Sequence, residues 1–204
     1  MYIMDISFLR HSFIWLRRIG KCRGFGIQSP NDYRFVRYVI NEHWPYYKYD
    51  HMGKHDNWLT RKLGKLYFRL ANDLQPSYVL NIHDDTTFEE YVRGGFEKCH
   101  VLLLELSGGC HQLQKVMEQY HPSIIRMCIS DSGVNADVLK CIFHYADEHC
   151  CWVIEQIHQS QTSLSLWKEL LTSDGRYFIS YDLYYCGIIM FDQSRAKQHY
   201  VINF

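Results

Sequence analysis

The sequence predicts an α/β protein: a mostly parallel twisted sheet with helices on both faces, closed by an antiparallel C-terminal hairpin. Three observations carry this. After Pro76, the continuous apolar runs YVLNI (78–82), HVLLL (100–104), 123–129 and CCWVI (150–154) alternate with helix-period segments. Strands buried on both faces of a parallel sheet read in this way. The last two runs, 177–183 and 187–191, have only residues 184–186 between them. That is too few for a parallel crossover, so they pair as a hairpin. Finally, 204 residues with 47% hydrophobic and 22% charged side chains fit one globular domain, able to hide roughly 70% of its unfolded surface.

Residues 2–19 read as a helix in which Ile3, Ile6, Leu9, Phe13, Leu16 and Ile19 recur at three- and four-residue steps. The Gly-rich stretch GKCRGFG (20–26) ends it. Ser29 as N-cap and Pro30 at the first helical position open a second helix carrying Tyr33, Val36, Val39 and Ile40, which stops before Pro45. Residues 46–55 form a polar, aromatic loop. A third helix spans 59–74 with Leu59, Leu63, Leu66, Phe68 and Leu70 as its apolar stripe and Pro76 just past its end. Further helices are expected at 88–93, 113–120, 138–148 and 163–171. Residues 1–75 are expected to form a helical cap, continuous with an α/β domain of residues 76–204.

Net charge is zero but unevenly spread: residues 1–70 hold 13 Lys/Arg against 5 Asp/Glu, and the remainder 9 against 17. A basic N-terminal part can meet an acidic partner, a membrane surface or nucleic acid, or simply neutralise the rest of the globule. No basic-aromatic motif points to nucleic acid. No apolar run reaches the length of a spanning helix, and MYIMDISFLRHSFIWLRRIG, with Asp5 early, does not read as a signal peptide. The eight cysteines include no C-x-x-C pair, and Cys128, Cys141, Cys151 and Cys186 lie in apolar stretches. Buried free thiols and a cytoplasmic location are the expectation.

Several stretches resemble a Bacteroidetes-type family of class I S-adenosylmethionine (SAM)-dependent methyltransferase-like proteins. GFGIQSPNDYRFVRYVI (24–40) is similar to that family's H-G-[IV]-H-S-P-F-x-[FY] segment, with Phe25 and Gln28 in place of histidines. YYKYD (46–50) and KLGKLYFRLANDLQPSYVLNI (62–82) resemble the lead into the first strand. DLYYCGIIMFDQSRAKQHYVINF (182–204) resembles the closing hairpin and its A-K-Q-H-[FY]-x-I-x-F tail. The resemblance implies a Rossmann-like class I methyltransferase fold with SAM as cofactor.

The departures fall where that chemistry would sit. The family's first strand runs into an E-x-G-x-x-x-G loop, whose glycines let the backbone approach SAM. Here the matching stretch is Asn81-Ile82-His83-Asp84-Asp85-Thr86-Thr87, without a glycine. His83, Asp84 and Asp85 then stand as candidate cofactor-side residues, or as a metal or acid–base cluster; an N-cap for the next helix is the plainer reading. The resemblance gives Glu105, closing HVLLLE, the task of accepting both ribose hydroxyls. Asp131 and His158 become the candidate catalytic residues near an acceptor. CCWVIEQIH (150–158) is similar to a family strand ending in D-D-I-H, whose acids in related O-methyltransferases can hold a divalent metal. Asp131, Glu155 and Gln156 could hold such a metal only weakly, and Mg²⁺ is not expected. The chain between Glu105 and the next strand is one β-α unit short: either the family's third strand with its helix is missing, or its fourth strand is.

Two function classes follow. One is a degenerate methyltransferase-like protein with weak or no SAM binding and a binding role, for which the basic N-terminal helices would be the surface for a protein partner. The other is an active SAM-dependent O-methyltransferase acting on a small molecule.

Overall fold

The computed structural model describes residues 6–21, 24–82, 86–105, 109–129, 136–145, 150–172, 178–192 and 194–204. The described residues form a seven-stranded sheet from β1 (Tyr78–Ile82), β2 (His100–Leu103), β3 (Ile124–Cys128), β4 (Cys151–Glu155), β5 (Phe178–Asp182), β6 (Cys186–Phe191) and β7 (Gln198–Val201). Their order is β2-β1-β3-β4-β6-β5-β7. β6 runs antiparallel to both its neighbours, and every other pairing is parallel. The expected mostly parallel sheet with its β5–β6 hairpin is therefore present. The sequence reading missed β7, which pairs parallel to β5. Its residues QHYV carry no apolar run because it is a half-exposed edge strand.

The helices are α1 (Ile6–Arg17), α2 (Pro30–Phe35, continued by a π-helical turn Val36–Ile40), α3 (Trp58–Leu74), α4 (Thr86–Gly95), α5 (Gly109–Tyr120), α6 (Ala136–Tyr145) and α7 (Gln161–Thr172). Ser29 caps α2 as expected, its hydroxyl accepting from the Asp32 amide at 3.3 Å. Asn57 caps α3 in the same way through the Thr60 amide at 2.9 Å.

One core lies between the sheet and α3 with α4. It joins Leu66, Leu70, Phe88 and Val92 to Val79, Ile124, Val153 and Ile188. The second core, on the opposite face, joins Leu113, Ile142 and Trp167 to Leu80, Ile125, Trp152 and Ile189. Consecutive strand residues alternate between the two cores, as the two-residue period requires. α3 and α4 approach so closely that a Cβ on Gly64 would stand 2.3 Å from the Tyr91 ring, and one on Gly95 would stand 2.1 Å from the Phe68 carbonyl oxygen.

The connection β1–α4–β2 crosses the first face and β2–α5–β3 the second, so the sheet reverses direction between β1 and β3. In a doubly wound sheet of order 3-2-1-4-5-6, ligands collect at the carboxyl ends flanking such a reversal. The strand beside the first on that side is the fourth of that order. By position β3 therefore matches the fourth strand of that order, and among the described residues no strand pairs beyond β2.

The segments that carry the family resemblance meet physically. Asp32, buried in α2, accepts hydrogen bonds from Tyr181 (2.9 Å), Arg195 (2.6 Å) and Tyr200 (3.2 Å). Asn203 donates its amide to the Lys21 carbonyl at 3.1 Å. The N-terminal segment and the tail are thus held against the same end of the sheet.

Candidate functional site

The face of the sheet under α3 and α4 turns polar at its carboxyl end. Asn81 of β1, Arg126 of β3 and Glu155 of β4 all point to that face and are all buried. The Arg126 guanidinium donates to Glu155 Oε1 at 2.7 Å and to Asn81 Oδ1 at 3.1 Å. Tyr67 of α3 donates its hydroxyl to the same Glu155 oxygen. The guanidinium also lies 5.5 Å from the centre of the Phe88 ring. Complete burial beside the Glu155 carboxylate holds the Tyr67 hydroxyl well above the usual phenol range, so it stays a proton donor. The Tyr67 hydroxyl and the Asn81 amide oxygen supply this deep ion pair with the additional hydrogen bonds that offset desolvation.

Above this cluster opens a cleft of about 260 Å³, lined by Asn57, Thr60, Gly64, Tyr67, Glu155 and Tyr185 among others. The cleft is bounded by the start of α3, the start of α4 and the turns that follow β4 and β5. Gln156 turns the chain at the end of β4 with φ 62°, a conformation uncommon for a residue with a side chain. Its amide is held by the Tyr185 carbonyl at 2.8 Å.

Two residues further, His158 Nε2 lies 2.8 Å from Asp182 Oδ2, while Arg18 donates to Asp182 Oδ1 at 2.6 Å. Burial alone would push the Asp182 carboxyl up. The hydrogen bond to His158 and the charge of Arg18 outweigh it and hold the carboxyl at about 2. The His158 ring stacks on Tyr184 at 4.8 Å.

Of the residues singled out in the sequence, Glu155 and Gln156 line the cleft. His158 sits beside it on Asp182, facing a second cleft under α1. Glu105 follows β2, exposed, at the far edge of the sheet. His83, Asp84, Asp85 and Asp131 lie outside the described residues. Among the described residues, no three His, Cys, Asp or Glu side chains gather as a metal-ligand cluster. Burial pushes the Cys151 and Cys186 thiols well above their usual value, so neither is a thiolate nucleophile near neutral pH.

Sequence reasoning missed Arg126, Tyr67 and Asp182. Arg126 had a signal: a cation inside the otherwise apolar run SIIRMCI needs a buried counter-charge. Tyr67 follows Leu63 by one helical turn and so shares the inward stripe of α3.

No protein-family profile and no curated protein sequence matches the chain. Solved structures do. The MycE methyltransferase of the mycinamycin biosynthetic pathway, in complex with Mg, SAH and mycinamycin VI, overlays 97% of this chain and 60% of its own length, with a TM-score of 0.53 at 13% identity. A second MycE structure, with Mg and SAH, overlays 68% of this chain and 50% of its own length, with a TM-score of 0.50 at 13% identity. The chain thus spans about half to three-fifths of that protein. At this identity the likeness is one of fold: a methyltransferase-like, Rossmann-like α/β sheet.

Proposed function

We propose that this chain is a degenerate class I methyltransferase-like protein of the Bacteroidetes-type family, binding SAM weakly or not at all and serving a binding role. The observation that carries this is the Asn81–Arg126–Glu155–Tyr67 cluster. Asn81 stands where the resemblance puts the strand-end acid, and Glu155 where it puts an acid for a metal or an acceptor. In this chain an arginine ties the two together below the cleft. A carboxylate whose Oε1 already accepts from a guanidinium and a phenol has less to offer an incoming cation. The glycine-free stretch after β1 and the lack of a strand beyond β2 among the described residues point the same way. The described residues therefore fit SAM poorly.

The second reading is an active SAM-dependent O-methyltransferase. It is favoured by the exposed Glu105 carboxylate at the end of β2 and by the His158–Asp182 pair near the strand ends. Calorimetric titration with SAM and S-adenosylhomocysteine, with and without Mg²⁺, separates the two. The degenerate reading expects no heat at millimolar ligand. Micromolar binding that is lost in Glu105→Ala would replace it with the second reading.

A further inference from the structure

Helix α1 is mounted the wrong way round for an ordinary surface helix. Its inward side is polar. His11 Nδ1 meets the Tyr185 hydroxyl at 2.7 Å, and its ring packs 4.4 Å from that of Trp58. Arg18, one residue past α1, inserts between the Asp182 carboxylate and the carbonyls of Asp182 and Ile202. Its outward side is apolar: Leu9, Phe13 and Leu16, spaced i, i+4 and i+7, are 47%, 60% and 59% exposed, and Ile19 continues the row at 52%. The stripe whose recurrence marks the helix in the sequence thus faces away from both cores.

Charge says what covers it. The helix ISFLRHSFIWLR holds no acid. Arg10 and Arg17, seven residues apart, flank the apolar row on one side, and the Arg17 guanidinium lies 5.7 Å from the centre of the Phe13 ring. Directly beside the row opens a cleft of about 580 Å³ lined by Arg10, Phe13, Arg17, Arg18, Lys21 and His158 among others. Asp182, which both Arg18 and His158 of this lining contact, is already paired with Arg18 and hydrogen-bonded to His158. A second copy docking face to face about a twofold would bring these arginines against their equivalents, which is repulsive. An apolar row flanked by cations, with a cationic recess for a phosphate, complements an anionic lipid surface.

We propose that α1 is an interfacial anchor. Leu9, Phe13, Leu16 and Ile19 enter the headgroup boundary of an anionic membrane, and the Arg10–Arg17–Lys21 cleft receives a lipid phosphate. The proposal does not depend on whether SAM binds. The test is co-sedimentation of the full chain with vesicles of phosphatidylcholine containing about one-third phosphatidylserine, against vesicles of phosphatidylcholine alone. Wild type should bind the anionic vesicles and not the neutral ones. The triple variant Leu9→Ser, Phe13→Ser, Leu16→Ser should bind at least tenfold more weakly with an unchanged thermal midpoint, because all three side chains stand in solvent. Arg10→Gln with Arg17→Gln should weaken binding roughly thirtyfold, at about fivefold per cation, and flatten its salt dependence. Absence of binding by wild type, equal binding of both vesicle types, or equal binding by the triple variant would overturn the anchor. So would a wild-type dimer in sedimentation velocity that the triple variant abolishes, which would assign the face to a second copy.

Discussion

The two faces of the sheet are built from alternate residues of the same strands, yet they are different materials. Toward α5, α6 and α7 the strands present Leu80, Ile125, Trp152, Ile154 and Ile189, an apolar layer. Toward α3 and α4 they begin in the same way, with Val79, Ile124 and Val153, and end in Asn81, Arg126 and Glu155. The neighbours Ile125 and Arg126 sit side by side in β3 and face opposite worlds. One face is held chiefly by packing, with Ser180 hydrogen-bonded to His199 at its β7 edge. The other tolerates a buried charge pair just beneath the cleft.

The largest break in that contrast should come from Glu155→Ala, which leaves Arg126 charged in the interior without its counter-carboxylate. Loss of one member of a buried pair costs about 3–5 kcal/mol, read as a lowered urea midpoint. The double variant Arg126→Met with Glu155→Leu should recover most of this, to within ~2 kcal/mol of wild type, because it removes both charges and leaves only neutral groups, the Tyr67 hydroxyl and the Asn81 amide oxygen, without the partners they had. A double variant as unstable as Glu155→Ala would mean that the cluster contributes net stability and not only mutual compensation. On the opposite face, Ile125→Ala should cost about 2–5 kcal/mol as a cavity. No second substitution at a strand neighbour's side chain should rescue it, since no charge is stranded.

A smaller effect separates the hairpin end from both faces. Asp182 is held at about 2 by His158 and Arg18, below the usual carboxylate value. A depressed folded value contributes stability that is fully present above the unfolded value near 4 and is lost as pH falls through about 2. The contribution amounts to about 2 kcal/mol. Wild type should therefore lose stability between pH 4 and 2 more steeply than Asp182→Asn, in urea melts run at each pH. Parallel curves would place the acid sensitivity of the fold elsewhere.

Much of the fold is legible in the sequence because burial on both faces makes the central strands continuous apolar runs, and the three-residue gap of the hairpin leaves one pairing open. β7 is illegible for the complementary reason: QHYV has one side toward solvent and carries no run. The stripe of α1 is legible as a helix but not as to which way it faces, since periodicity gives a direction only relative to the helix axis. The candidate site is half legible. Glu155 and His158 stand at strand ends, where chemistry is looked for. Arg126 stands within a strand, and only the rule that a buried cation requires a partner would have led from it to Glu155. Nothing in the spacing links Tyr67 to Glu155, 88 positions away.

The smallest effect tests how purely apolar the second face is. Trp152 is fully buried between the rings of Phe143 and Phe191, at 5.9 and 5.3 Å and near right angles to each. Among the described residues its indole N–H meets no acceptor. Two terms oppose one another when it becomes phenylalanine. Removing part of the indole opens a cavity, and a full Trp→Ala change would cost about 3–5 kcal/mol. Removing the N–H relieves a buried donor without a partner, a term of about 1–3 kcal/mol in the other direction. Trp152→Phe should therefore stay within ~1 kcal/mol of wild type in urea denaturation. A loss near 3 kcal/mol would show that the donor carries no penalty there, because edge-on contact with the two phenyl rings already satisfies it. The apolar face would then contain a polar interaction of its own, made to rings and not to oxygen.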